Sequence, residues 1–430
     1  MLPVIFSIYI FLPGFALPDN APGKKPPVLN KNSTLADFIT YAAVNNPELE
    51  SSYYSWQAAL AEIVQAGALP DPILSYSHYI REVETKTGPQ KNRFGIAQRL
   101  PWYGKRGLKK NIALKNAFVA ENKFKAKKQN LFYKIKKVWF ELYYLGKGLN
   151  TSHESLKILE DLESSAEYRF KTGSLSHASL IRLHIEKEQL KNRAVSLEEQ
   201  KKSLMIKFNS LLNRDIYEEI TVPVKVLIPE LPYSFEKLTD FMKKNSPVFG
   251  TVAEEEKKAE LSVKLARKRY YPDIKLGLDY IQTDNGEGNI SENGKNPLIG
   301  TLTLNLPIWF NKYAAAVNEA EQRHAAVKKK QDYIKNNFIA DLRMAYFNFT
   351  DSLRKIDLYE NSILPNAKEI LSVLQATFIA GSADFEQLLD ARQLCLKLSL
   401  EYERAYTDSR LYLAELSRLT GMDLTQPEGF

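Results

Sequence analysis

"FGIAQRLPWYGKRG", Phe94 to Gly107, changes character in its middle. Its first half alternates at the two-residue period of a strand. Leu100-Pro101-Trp102 then gives way to Lys105 and Arg106, the start of a long basic stretch with helical spacing. The same change occurs at "GTLTLNLPIWFNKY", Gly300 to Tyr313. Proline has no N–H to donate to a ladder, so Pro101 and Pro307 mark two strand-to-helix junctions, one in each half of the chain.

Other landmarks repeat in the same order. "NNPEL" around Pro47 matches "NSPVF" around Pro247, and "LPDPILSYSHYI" (Leu69 to Ile80) matches "YPDIKLGLDYI" (Tyr271 to Ile281) through a shared Pro-Asp. "RFKTGSLSHASLIRL" (Arg169 to Leu183) matches "TFIAGSADFEQLLDA" (Thr377 to Ala391), pairing Phe170 with Phe378 and Gly173 with Gly381. The chain therefore reads as a tandem repeat over residues 33–232 and 233–430. Each half predicts a helix, two strands, a very long helix, a Gly-containing turn and a returning helix. In the first half the strands fall at about 71–83 and 92–101, the long helix at about 103–172 and the returning helix at about 176–212, before a linker. In the second they fall at about 272–283 and 297–308, with helices at about 311–380 and 384–420.

The strands have one apolar and one polar face. Leu302, Leu304 and Leu306 oppose Thr301, Thr303 and Asn305, and Ile274, Leu276, Leu278 and Tyr280 oppose Lys275, Gly277 and Asp279. The first pair is weaker, with Leu74, Tyr76 and Ile80 opposing Ser75 and Ser77. Segments of this kind suit a membrane β-barrel or a soluble sandwich. The helices say more. No proline interrupts Lys105 to Thr172, and Ala117, Phe124, Leu131, Val138, Leu145, Leu159 and Ala166 keep a seven-residue beat. Ile135, Leu142, Leu149, Leu156 and Phe170 form a second line, broken at Ser152 and Glu163. That is a coiled-coil seam, on a helix reaching roughly 100 Å at 1.5 Å per residue. Pro365 is expected to kink or split the corresponding second helix. In the last helix Leu388, Ala391, Cys395, Leu398, Tyr402, Ala405, Tyr412, Leu416 and Leu419 form a seam, missing only at Ser409.

Composition narrows the setting. The chain has 430 residues, a formal charge of +8 and a single cysteine, so no intrachain disulfide is available. Mean hydropathy is −0.33, and after the N-terminus no apolar run is long enough for a spanning helix. "MLPVIFSIYIFLPGFA" (residues 1–16) reads as a signal peptide that lacks the usual basic start. Residues 17–32, rich in Pro, Lys and Asn, read as a linker. No cysteine follows the leader to carry a lipid. The positive charge is spread along helices and lacks the basic blocks with interleaved aromatics of a nucleic-acid binder.

Four barrel-type strands cannot close a barrel, whose smallest forms have about eight, and open edges in lipid cost several kcal/mol per unpaired group. Three copies supply twelve strands and gather their long helices into a cylinder. Trp102 and Trp309, with Tyr103 and Phe310, suit the bilayer–water interface, so each Leu-Pro junction passes from barrel to helical tunnel.

These residues resemble the TolC-type outer-membrane efflux family, from about Leu35 to Leu419. The resemblance rests on the duplicated Pro-Asp before a strand, the paired Leu-Pro exits and the duplicated Gly-Ser tips. "LPWYGKRG" looks most like the branch serving heavy-metal resistance-nodulation-division pumps. The resemblance implies a mainly α fold with a small β part: coiled-coil helices forming a periplasmic tunnel and a trimeric twelve-stranded barrel in the outer membrane. It implies a homotrimer in outer-membrane lipid, a periplasmic adaptor (membrane fusion) protein and an inner-membrane pump, with passive conduction and no cofactor or catalytic site. Carried over to this chain, the adaptor-docking tips are Arg169, Phe170, Gly173, Ser174 and Leu175, and Phe378, Gly381, Ser382, Phe385 and Leu388. Asp390, with Gln387 in place of a second acid and Glu386 close by, falls at the pore entrance, where three copies would favour cations. Asp384 is near enough to contribute. Pro101, Trp102, Pro307 and Trp309 form the barrel–tunnel junction. A bare helical turn explains the glycines equally well, and a solvated charge explains Asp390.

His177 and His184, seven apart, lack the third ligand a metal site needs. Neither a phosphate-binding loop nor a nucleophile elbow is present. Two other readings remain: the exit duct of a type I protein secretion system, and a periplasmic coiled-coil adaptor or scaffold.

Overall fold

The computed structural model describes residues 28–30, 33–222, 231–287, 292–380 and 384–424. The leader over 1–16, the linker over 17–32 apart from residues 28–30, and Gly381 and Ser382 of the second tip lie outside the described residues.

The fold is mostly helical with one small antiparallel sheet, and its element order recurs. Helices α1 (Leu35–Asn45) and α2 (Pro47–Gly67) lead to strands β1 (Ile73–Val83) and β2 (Gln90–Leu100), then to α3 (Lys105–Lys171) and α4 (His177–Leu212). The second half follows with α5 (Phe235–Asn245), α6 (Pro247–Lys268), β3 (Ile274–Thr283), β4 (Leu298–Leu304), α7 (Phe310–Leu358), α8 (Leu364–Ile379) and α9 (Phe385–Thr420). Pro47 and Pro247 each open the second helix of a pair, at the helical position that tolerates a missing N–H. Among the described residues no helix is long and apolar enough to cross a membrane.

The chain divides into two compact units. One comprises Ser52–Ala126 and Lys244–Ile339, and the other the remaining described residues. The first holds the four-stranded sheet, in the order β1-β2-β3-β4 with every pairing antiparallel. The junction between β2 and β3 is the seam between the two repeats. Among the described residues β1 and β4 are each paired on one side only, which leaves both outer edges of the sheet open.

The second unit holds the helical hairpins. Phe38, Trp139 and Phe208 meet with ring centroids 5.2–5.7 Å apart, clasping α1 against α3 and α4. Near the tips, Leu159, Leu162 and Ala166 of α3, Leu183 and Leu190 of α4, Phe378 of α8, and Phe385, Leu388 and Leu389 of α9 form a buried cluster. A π turn over Tyr359–Ile363 joins α7 to α8, with the Leu364 N–H donating to the Tyr359 carbonyl. Pro365 follows in the first turn of α8, so the widened turn absorbs the donor that proline lacks.

Candidate functional site

Three places carry the functional reading, and the sheet is the first. Register puts Leu74, Ile96, Leu278 and Gly300 in one cross-strand row and Tyr76, Phe94, Tyr280 and Leu298 in the next. Leu276 and Leu302 continue the face beside Gln98, the one polar residue among these rows, followed by Leu100, Ile274 and Leu304. Leu74, Tyr76, Leu276, Leu278, Leu302 and Leu304 are all solvent-exposed in the single chain. Four apolar rows along strands that rise about 3.4 Å per residue make a band on the order of 20 Å tall. It ends at a polar row in which Asn92 accepts from Tyr76 Oη and donates to Gln282, each at 2.9 Å, with His78 Nδ1 also 2.9 Å from Asn92 Oδ1.

The opposite face is polar. Arg93 donates to both carboxylate oxygens of Asp279, at 3.1 and 2.8 Å. Gly95 leaves room for this pair, since a Cβ there would lie 2.3 Å from Asp279 Oδ1 and 2.6 Å from Ser75 Oγ.

The second place is the junction opened by Leu100-Pro101-Trp102. Asp273, from the Pro-Asp of the second repeat, is its centre. Its carboxylate accepts from Lys105 Nζ at 2.8 Å, Arg99 Nη2 at 2.8 Å and the Trp102 N–H at 3.0 Å, and its own N–H donates to Asn305. Lys105 Nζ also reaches the Tyr271 carbonyl at 2.8 Å, and the Tyr271 ring stacks on Trp102 at 5.5 Å and 16°. Lys105 is only 9 % exposed. Burial pushes the Asp273 carboxyl up, but its Lys105, Trp102 and Arg99 donors outweigh that and hold it at about 2. Thus the Pro-Asp of one repeat locks the strand exit of the other. Trp309, the second repeat's tryptophan, is by contrast 71 % exposed.

The tips are the third place. Gly173 adopts φ +74°, with the Ser174 N–H donating to the Arg169 carbonyl at 2.8 Å, a left-handed reversal suited to glycine. Ser176 then caps α4 and Asp384 caps α9. The structure separates the expected tip residues into two groups. Phe378, Phe385 and Leu388 are buried in the cluster beneath the tips, and Leu175 packs against it. Arg169 lies over the Phe378 ring at 4.1 Å and donates to the Phe378 carbonyl at 2.7 Å, tying the end of α3 to that of α8. Phe170, Gly173 and Ser174 face outward, as do Glu386, Gln387 and Asp390 of α9.

Asp390 is not a free carboxylate. Arg182 of α4 donates to it at 2.5 Å and approaches Glu386 at 3.5 Å. Arg182 and Asp390 occupy matching positions in the two aligned tip sequences. That alignment was the signal for the pair, which sequence reasoning missed, as it missed the Asp273 clamp. His184 Nδ1 lies 2.9 Å from Glu163, which also takes Lys187, while the His177 ring lies 5.4 Å from that of Phe170. Among the described residues no group of three or more potential metal ligands occurs. Cys395 donates to the Ala367 carbonyl at 3.2 Å, and burial pushes its thiol up.

The Outer membrane efflux protein family model matches residues 240–422, the second repeat almost entire. Over that span the chain is similar to this outer membrane efflux family. The cobalt-zinc-cadmium resistance protein CzcC of Cupriavidus metallidurans is 20% identical over 412 residues, covering 93% of this chain and 94% of the relative. Toxin and drug export protein A of Aggregatibacter actinomycetemcomitans is 23% identical over 385 residues, covering 84% of this chain and 80% of the relative. Among solved structures, the outer membrane protein VceC of Vibrio cholerae superposes with a TM-score of 0.77 at 15% identity, over 91% of this chain and 96% of that one, a likeness of fold. Both the matched family and the VceC structure are described as outer-membrane proteins. The family is one of efflux ducts, not of enzymes.

Proposed function

We propose that three copies of this efflux protein form a twelve-stranded barrel in the outer membrane and a coiled-coil tunnel in the periplasm. The channel passively exports substrate handed over by an inner-membrane pump through a periplasmic adaptor. The observation that carries this reading is the sheet: one exposed apolar face, one polar face holding a bidentate ion pair, and two open edges. In lipid such edges require partners, and a lumen-facing ion pair suits a water-filled barrel.

The tips are the adaptor-docking and gating end. Arg169, Phe170, Gly173, Ser174 and Leu175 form the contact from the first hairpin, and Gly381 and Ser382 that from the second. Phe378, Phe385 and Leu388 hold the contact surface in place from beneath. Asp390, Glu386 and Gln387 stand at the entrance, and Arg182 bridges the two hairpins there. In the closed state Arg182 neutralises the acids; opening the tip breaks the bridge and exposes three carboxylates to passing cations. Trp102 and Trp309 mark the interface at the Pro101 and Pro307 junctions.

The near end-to-end match to CzcC favours a metal-cation cargo and a pump of the resistance-nodulation-division type. The similarity to Toxin and drug export protein A supports a second reading, the exit duct of a type I secretion system.

Planar-bilayer recording of the purified protein tests the channel. Wild type should give small discrete steps, and Arg182→Ala should raise both conductance and cation preference. Asp390→Ala should raise conductance while lowering cation preference relative to Arg182→Ala. Folded, oligomeric protein that never inserts would end the channel reading.

A further inference from the structure

The clamp around Asp273 has a twin that a single chain leaves half-built. In the complete clamp, the residues before β3 supply a ring (Tyr271), a carbonyl (Tyr271 O) and a carboxylate (Asp273), and the exit of β2 supplies Trp102 and Lys105. The repeat places the same parts at the two outer edges of the sheet. Before β1 stand Leu69, with its carbonyl, and Asp71; after β4 stand Trp309 and Lys312. The exits match in their local backbone: the Lys105 N–H donates to the Trp102 carbonyl at 3.1 Å, and the Lys312 N–H to the Trp309 carbonyl at 3.0 Å.

The two sets differ in what they touch. Lys105 is buried and Trp102 is stacked, whereas Asp71, Leu69, Trp309 and Lys312 are all exposed. Among the described residues Asp71 has no hydrogen bond or ion pair, and the Trp309 N–H has no acceptor. Among the described residues Lys312 meets the Tyr313 ring alone, at 6.0 Å. Asp71 lies at the start of edge strand β1 and Lys312 beyond the end of edge strand β4. In an antiparallel sheet continued by another copy, β4 of one copy runs against β1 of the next, which brings these two ends together.

We infer that Asp71 of one copy closes on Trp309 and Lys312 of its neighbour, repeating between protomers the clamp that Asp273 makes within one. The occupant of each half-clamp is a second copy of this chain, and the inference rests on the proposed three-copy barrel. The Asp71 carboxylate accepts from the neighbouring Trp309 N–H and Lys312 Nζ. Lys312 Nζ also reaches the Leu69 carbonyl, and the Leu69 side chain covers the Trp309 indole. The Arg99 contact has no twin, because Asn305 stands at that place and is engaged by the Asp273 N–H. The trimer thus carries six clamps around the base of the barrel, three of them holding protomers together.

Zero-length carbodiimide coupling of the full chain, purified in detergent from outer membranes, tests this. Wild type should give a covalent dimer and trimer ladder in which mass spectrometry finds an amide joining Asp71 and Lys312. Asp71→Asn and Lys312→Met should each remove that linkage and speed oligomer dissociation in sodium dodecyl sulfate by at least about tenfold. The double exchange Asp71→Lys with Lys312→Asp should recover most of the lost lifetime, which a merely misfolded variant would not do. Oligomers that lack the Asp71–Lys312 linkage and dissociate at the wild-type rate in both single variants would overturn the clamp and leave the barrel standing. Protein that remains a single chain by native mass measurement would remove the barrel and the clamp together.

Discussion

Asp273 is the residue on which both repeats converge. The duplicated Pro-Asp was visible in the sequence, but its partners were not, because the Trp102 N–H lies 171 positions away and no local period reports such a contact. Its ordinary carboxyl value of 3.8 falls to about 2 in the folded protein. The stabilisation is therefore complete above the ordinary value and is lost as pH falls from about 4 through about 2. After allowance for solvent screening it amounts to about 1–2 kcal/mol. Asp273→Asn should lower stability by about that amount at neutral pH and flatten the acid limb of the profile. Thermal unfolding of wild type and variant, followed from pH 5 to pH 2, would show the curves converging as the acid limit is approached. Parallel curves would mean that the carboxylate contributes nothing. Arg182 was hidden for a similar reason: Asp390 looks like a lone surface acid until α4 and α9 are brought side by side.

At the scale of the element, the helices were the most legible part. Ala117, Phe124, Leu131, Val138, Leu145, Leu159 and Ala166 are all buried, because a seven-residue beat on one unbroken helix is a local property. The breaks in that pattern are satisfied and not merely tolerated. Ser152 donates back to the Gly148 carbonyl at 2.7 Å, and Glu163 takes Lys187 and His184. Pro365 announced a break but not its form, since a π turn depends on how the neighbouring helix holds it; Tyr359 Oη donates to Glu401 at 2.6 Å. The tip residues were only partly legible. Phe385 and Leu388 look like contact residues beside a turn, yet the hairpins consume them as core. Gly173 gives a clean test at this scale, because an added Cβ would meet no atom within 4 Å. Gly173→Ala should therefore cost only the backbone term for positive φ, about 1 kcal/mol. Hydrogen exchange should quicken over the adjoining turns of α3 and α4 while global unfolding changes little. A large global loss would mean that the tip packs against more than its own chain.

For the whole molecule, the decisive feature is a sheet whose two faces ask for different solvents. Alternation in β3 and β4 announced the faces but not which strands share them; the register supplies that, aligning Leu74, Ile96 and Leu278 across three strands. These three side chains are exposed in the single chain, which fits the proposed lipid setting. Leu278 lies in the middle of the band, and an arginine at the centre of a barrel's lipid face costs about 2–4 kcal/mol. Thr301 sits one row along on the polar face, near the Arg93–Asp279 pair. Leu278→Arg should reduce the amount of heat-modifiable oligomer recovered from the outer membrane. Thr301→Arg should leave recovery unchanged and alter single-channel conductance, because it adds charge to the lumen. If the two substitutions reduced recovery equally, the faces would not be divided between lipid and water, and the sheet would have to be covered by protein on both sides.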